Sequence, residues 1–131
     1  MDYQLLVNEA FKASENAYAP YSNFQVGACV LLKNGQLIYG CNIENAAYGS
    51  TMCAERNALF QTYCLGYRKN DIEAIAIVGD CYPLISPCGA CRQVFVELLS
   101  MDTPIILGNK DYYEITNIEE LMPKAFTKEC L

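Results

Sequence analysis

Two short cysteine clusters constrain this chain more than any other feature: Cys53-Ala54-Glu55, and Pro87-Cys88-Gly89-Ala90-Cys91. Between them lies a nearly continuous apolar run, Ile72-Glu73-Ala74-Ile75-Ala76-Ile77-Val78. Such a run is expected of a central strand covered on both faces by helices. If the clusters act together, the starts of two helices, one opening at Cys53 and one at Cys88, must meet.

Helix starts suit cysteine chemistry, because unpaired backbone N–H groups and the positive end of the helix dipole favour thiolate. Cys88 and Cys91 stand at i and i+3, on one face of a first turn, so both can reach a single ion. The chain has no histidine, so any zinc ligand other than a carboxylate must be cysteine. Three thiolates can hold Zn²⁺ and leave its fourth tetrahedral position open for water, the arrangement of a hydrolytic site. Glu55 stands two positions after Cys53, and helix neighbours at that spacing do not share a face, which argues against a simple co-ligand. Three thiolates around Zn²⁺ leave one net negative charge. Arg56 and Arg92 are the candidates to compensate it by hydrogen bonding to the sulfurs.

A Cys-x-x-Cys pair alone also fits a thioredoxin-like redox pair or half of a structural zinc ribbon. The redox reading leaves Cys53-Ala54-Glu55 unexplained, and a closed structural site needs a fourth ligand. The remaining cysteines, 29, 41, 64, 81 and 130, occur singly and read as small buried hydrophobes or spare thiols.

The 131 residues suit one domain, 1–131, long enough to bury a core without metal or disulfide staples. Met1-Asp2-Tyr3-Gln4 does not begin a basic segment followed by an apolar signal core, and no apolar run approaches the roughly 20 residues that span a bilayer. The expectation is a protein of a reducing compartment, the cytoplasm, with no membrane partner. Net charge is −6 and no Lys/Arg cluster interrupts the chain, so nucleic acid is not an expected partner either.

Leu6, Ala10, Ala13 and Ala17 recur at helical spacing over residues 2–17. Val26–Leu32 and Leu37–Cys41 flank Lys33-Asn34-Gly35-Gln36, a hairpin signal. A polar loop over 42–52 leads into the helix at Cys53. Cys91, Val94, Phe95, Leu98 and Leu99 mark one apolar face of the helix from Cys88. Ile105–Leu107 and Tyr112–Ile115, joined by a short turn, read as two antiparallel strands, followed by a short helix near 117–122. The order α-β-β-α-β-α-β-β-α describes a three-layer α/β/α domain around a five-stranded mixed sheet.

Four stretches, in order, resemble the small homotetrameric cytidine deaminases: Pro20–Ala28, Asn42–Tyr48, Cys53–Arg56 and Ser86–Gln93. The resemblance runs on through Leu121-Met122-Pro123-Lys124-Ala125-Phe126. It implies the cytidine deaminase-like fold and one zinc per subunit held by Cys53, Cys88 and Cys91. It further implies hydrolytic deamination of cytidine and 2′-deoxycytidine, with attack at C4 of the pyrimidine. Glu55 would carry the proton of water to N3 and then toward the departing amine. Asn42 and Glu44 would bind the ribose 3′-hydroxyl, and Phe24 would line the base pocket. The Ala54 N–H would meet the base carbonyl, and the Ser86 carbonyl would accept from the exocyclic amine. Tyr48 and Phe126 match residues lent by neighbouring subunits, Phe126 as a lid on the pyrimidine, and Arg56 would temper the charge on the sulfurs. Rival readings are a deaminase of an aminonucleoside antibiotic of the blasticidin S type, against which Asn42-x-Glu44 and Arg56 argue, and a catalytically silent zinc module, which has no reason to carry Glu55.

Overall fold

In the computed structural model, which describes residues 1–131, nine main elements follow in the expected order. They are α1 (Tyr3–Ser14), β1 (Val26–Leu32), β2 (Leu37–Cys41), α2 (Ala54–Cys64), β3 (Ile72–Gly79), α3 (Gly89–Leu98), β4 (Ile105–Gly108), β5 (Tyr113–Thr116) and α4 (Ile118–Leu121). The strands form one mixed sheet in the order β2-β1-β3-β4-β5. Only β3 and β4 run parallel, and α3 makes the crossover between them. The β1–β2 hairpin turns where the Asn-Gly pair predicts, with Gly35 at φ +90°, a backbone region that costs glycine little.

The alternating side chains of β1 separate two apolar cores. Ala28, Val30 and Leu32 join Ala58 and Leu59 of α2, Phe95 of α3 and Ile118 of α4 on one face. Cys29 and Leu31 join Leu6, Val7 and Ala10 of α1, with Ala74, Ala76 and Val78 of β3, on the other. The three layers are therefore α1, the sheet, and α2 with α3 and α4. β3 is buried at every position but Glu73, as a strand covered on both sides must be. On α3 only Cys91 and Phe95 are fully buried, while Val94 and Leu98 lie half-covered at its margin.

α1 stops at Ser14, short of the predicted 17. The Ser14 hydroxyl donates back to the Phe11 carbonyl, and the chain then turns so that Tyr18 N–H can reach the Asn42 carbonyl while its own carbonyl accepts from Glu44 N–H. Pairing with a distant segment outcompetes the last turn of helix. The 42–52 loop is likewise tied down, by an Ile43–Met52 bridge and a 3₁₀ turn at Tyr48–Ser50. α2 lies close against β2, because Gly40 presents no side chain; a Cβ there would stand 2.5 Å from the Ala54 carbonyl oxygen. That contact sets the height of the first turn of α2, where the cysteine chemistry begins.

Candidate metal centre and active site

Cys53 is the N-cap of α2 and Cys88 the N-cap of α3, both in extended backbone. The two helix starts converge: Cys53 Sγ is 3.9 Å from Cys88 Sγ, and Cys88 Sγ is 3.4 Å from Cys91 Sγ. All three sulfurs lie within 4.8 Å of one another. Tetrahedral zinc with Zn–S bonds near 2.3 Å places sulfurs about 3.8 Å apart, so the spacing fits the ion. Three cysteines and no fourth His, Cys, Asp or Glu make up the cluster, which leaves one tetrahedral position without a protein ligand.

Charge is already arranged for such an ion. Hydrogen bonding from the Cys91 thiol, reinforced by Arg56, brings the Cys53 thiol down to about 5. The same hydrogen bond and burial push Cys91 the other way. Arg56 Nη2 donates to Cys53 Sγ at 3.4 Å, and its buried Nε has no protein partner. The guanidinium therefore faces the sulfurs, as the sequence suggests. Arg92 does not: it reaches the Pro87 carbonyl, the Ser86 hydroxyl and the Leu121 carbonyl. Its position on α3 turns it toward the loop below Cys88, which corrects the expectation that it contacts sulfur.

Glu55, the second residue of α2, is only 4% exposed. Burial raises its carboxyl above the usual carboxylate range, with the Cys53 charge adding to the effect and the Cys91 thiol opposing it. The carboxyl so placed lies against the cysteine trio, near Cys53 and Cys91. Ala54, wholly buried, is the first helical residue, so its N–H has no intrahelical acceptor.

Two further groups converge at the end of β2. The side chain of Asn42, 8% exposed, accepts from Val26 N–H at 2.9 Å and donates to the Phe24 carbonyl at 2.9 Å. It clasps the loop that carries Phe24, and one amide hydrogen remains free. Glu44 accepts from the N–H groups of Tyr21 and Ser22 and from the Ser22 hydroxyl. That Ser22 hydroxyl, followed by the Ser22 N–H, holds the Glu44 carboxyl below its usual range. Ser22 lies within the Pro20–Ala28 stretch, and its role is set by a contact across 22 residues of chain. Glu44, Tyr21, Ser22, Asn45, Tyr48 and Thr51 line a cavity of about 330 Å³. The Phe24 ring packs over Gly79, where an added Cβ would come within 2.7 Å of it. Tyr48 and Phe126 stand 79% and 61% exposed, and Ser86 is also exposed.

Comparison with known proteins agrees with this geometry. Residues 1–106 match the cytidine and deoxycytidylate deaminase zinc-binding region. A cytidine deaminase of Halalkalibacterium halodurans is 56% identical over 98% of this chain and 97% of its own. One from Sporosarcina psychrophila is 47% identical over 100% and 96%. The crystal structure of cytidine deaminase from Burkholderia pseudomallei superposes with a TM-score of 0.93 at 46% identity, covering 96% of this chain and 100% of that one. A sheet of this topology, a cysteine trio with one open position and likeness along the whole length have one explanation: the chain belongs to the cytidine and deoxycytidylate deaminase family of zinc hydrolases.

Proposed function

We propose that the protein, as a single catalytic domain over residues 1–131, hydrolyses cytidine and 2′-deoxycytidine to uridine and 2′-deoxyuridine with release of ammonia. The observation that carries this reading is the meeting of Cys53, Cys88 and Cys91 beside a buried glutamate, Glu55. Cys53, Cys88 and Cys91 would hold zinc, which would supply a Lewis acid and an open position for water. Glu55 would take one proton from the attacking water and deliver it to N3 of the pyrimidine, then take the second from the new C4 hydroxyl and pass it to the amine, which leaves as ammonia as the C4 carbonyl forms. Burial raises the affinity of Glu55 for a proton, which suits a group that takes one from water and passes it on. Arg56 draws charge from the sulfurs, so the site can accept a nucleophile despite three thiolates.

The base is oriented by backbone. The unpaired Ala54 N–H donates to its carbonyl, and the Ser86 carbonyl accepts from the exocyclic amine, with Phe24 as the wall of the pocket. The ionised Glu44 carboxylate accepts from the ribose 3′-hydroxyl, and the spare amide hydrogen of Asn42 donates to it. Neither residue demands a phosphate, and the acidic chain offers no basic cluster for one. Tyr48 and Phe126, exposed in the single chain, complete the sites of neighbouring subunits in a homotetramer. The setting is pyrimidine salvage in the cytoplasm.

A spectrophotometric deamination assay of the zinc-loaded protein with both nucleosides tests the reading. Loss of the cytidine absorbance with stoichiometric ammonia is the expected result. Turnover of blasticidin S with neither nucleoside consumed would reassign the substrate.

A further inference from the structure

Residues 82–87 form the approach to Cys88, and not one backbone-to-backbone hydrogen bond holds them. The side chain of Arg92 does. Its Nε donates to the Pro87 carbonyl at 2.8 Å and its Nη2 to the Ser86 hydroxyl at 2.6 Å. On the opposite side Nη1 donates at 2.7 Å to the carbonyl of Leu121, the last residue of α4. One planar group thus ties an irregular loop to a helix end whose carbonyl would otherwise lack a partner.

Arg92 has no evident reason to be cationic other than this clamp. The chain's ion pairs are Lys12–Glu9 and Lys110–Asp80, and neither involves it. It is the fourth residue of α3, near the positive end of the helix dipole, where a cation is disfavoured. The neighbouring Gln93 extends the same tie, donating through Nε2 to the Phe126 carbonyl at 3.0 Å.

We propose that Arg92 is a positioning residue for deamination: it fixes the Ser86–Pro87 backbone so that the Ser86 carbonyl meets the exocyclic amine of the base. The inference rests on the nucleoside reading above, and Arg92 acts through Ser86 without touching the substrate. Three acceptors in fixed directions require the fork of a guanidinium, which one ammonium cannot reproduce.

The test compares the full-length, zinc-loaded protein with Arg92→Ala and Arg92→Lys. Zinc per chain, kcat/KM for cytidine and the inhibition constant of uridine are measured. Uridine presents a carbonyl in place of the amine, so it gains nothing from a well-placed Ser86 carbonyl. Both variants are expected to keep one zinc and to lose about 10- to 100-fold in kcat/KM for cytidine, the scale on which small misplacements act. Uridine inhibition should change by less than about threefold. Cytidine turnover within twofold of the parent would overturn the proposal. So would a loss shared equally by cytidine turnover and uridine binding, or one that follows loss of zinc, since each would make Arg92 a purely structural residue. A parent protein that releases no ammonia from cytidine would instead refute the substrate reading, a result separable from all of these.

Discussion

At the scale of single residues, the site divides into groups that hold the metal and groups that move protons or sugar hydroxyls. Glu55→Gln keeps the size of the side chain and removes its proton chemistry. The expected protein is folded and zinc-loaded, with ammonia release lowered by about 10²- to 10⁴-fold, measurable by stopped aliquots at saturating cytidine. Cys88→Ala removes a sulfur that bonds both other cysteines of the trio, and metal analysis should find zinc and activity lost together. Glu44 offers a pH signature. Its folded carboxyl is held low by the Ser22 hydroxyl and the Ser22 N–H, so the stabilisation it gives is full above the ordinary carboxylate range and disappears as pH falls through the folded value. Thermal melts between neutral and acid pH should therefore show a shallower acid limb in Glu44→Gln than in the parent. At this scale the sequence was most legible for the metal: Cys53, Cys88 and Cys91 stand together as their spacing implies, with Arg56 against Cys53. Arg92, a candidate only by its adjacency to Cys91, turns away from the sulfurs, because adjacency says nothing about which way a side chain leaves the helix.

Elements decide how near those residues come. Both N-caps are cysteines, and what brings them within reach is the packing of α2 and α3 on one face of the sheet. Gly40 is the closest of these contacts to the chemistry. A Cβ at this position would also lie 2.6 Å from Ala58 N, against backbone that cannot swing aside. Gly40→Ala is expected to lose about 1–3 kcal/mol in urea denaturation, the usual cost of overpacking, and to weaken cytidine turnover by displacing Cys53 and Ala54. Phe95, fully buried where α3 meets the sheet, carries the opposite defect: Phe95→Ala should cost about 3–5 kcal/mol by the same measurement. Helical periodicity marked α1 and α3, apolar runs marked the strands, and α2 was placed only by its start at Cys53. Periodicity overran α1, because the bridge from Tyr18 to Asn42 and Glu44, which ends that helix, joins segments too far apart for a local pattern to reveal.

For the whole molecule, the proposed sharing of sites between subunits has a direct consequence. A chain with Glu55→Gln retains its Phe126, and a chain with Phe126→Ala retains its Glu55. Refolding the two together should restore more ammonia release than either shows alone, whereas self-contained sites would give only the average. Most of the architecture was open to reading from the chain. The apolar run of β3, the Asn-Gly hairpin and the absence of histidine fixed a layered α/β fold and an all-cysteine metal site, because burial patterns and ligand chemistry are written in residue types. What the chain could not tell was where those pieces meet. Glu55 stands beside the sulfurs, Asn42 clasps the Phe24 loop and Arg92 grips the approach to Cys88 only after strands distant in sequence have paired and helices have settled on them. Hydrogen bonds depend on direction and distance to within tenths of an ångström, and only the packed tertiary structure sets those.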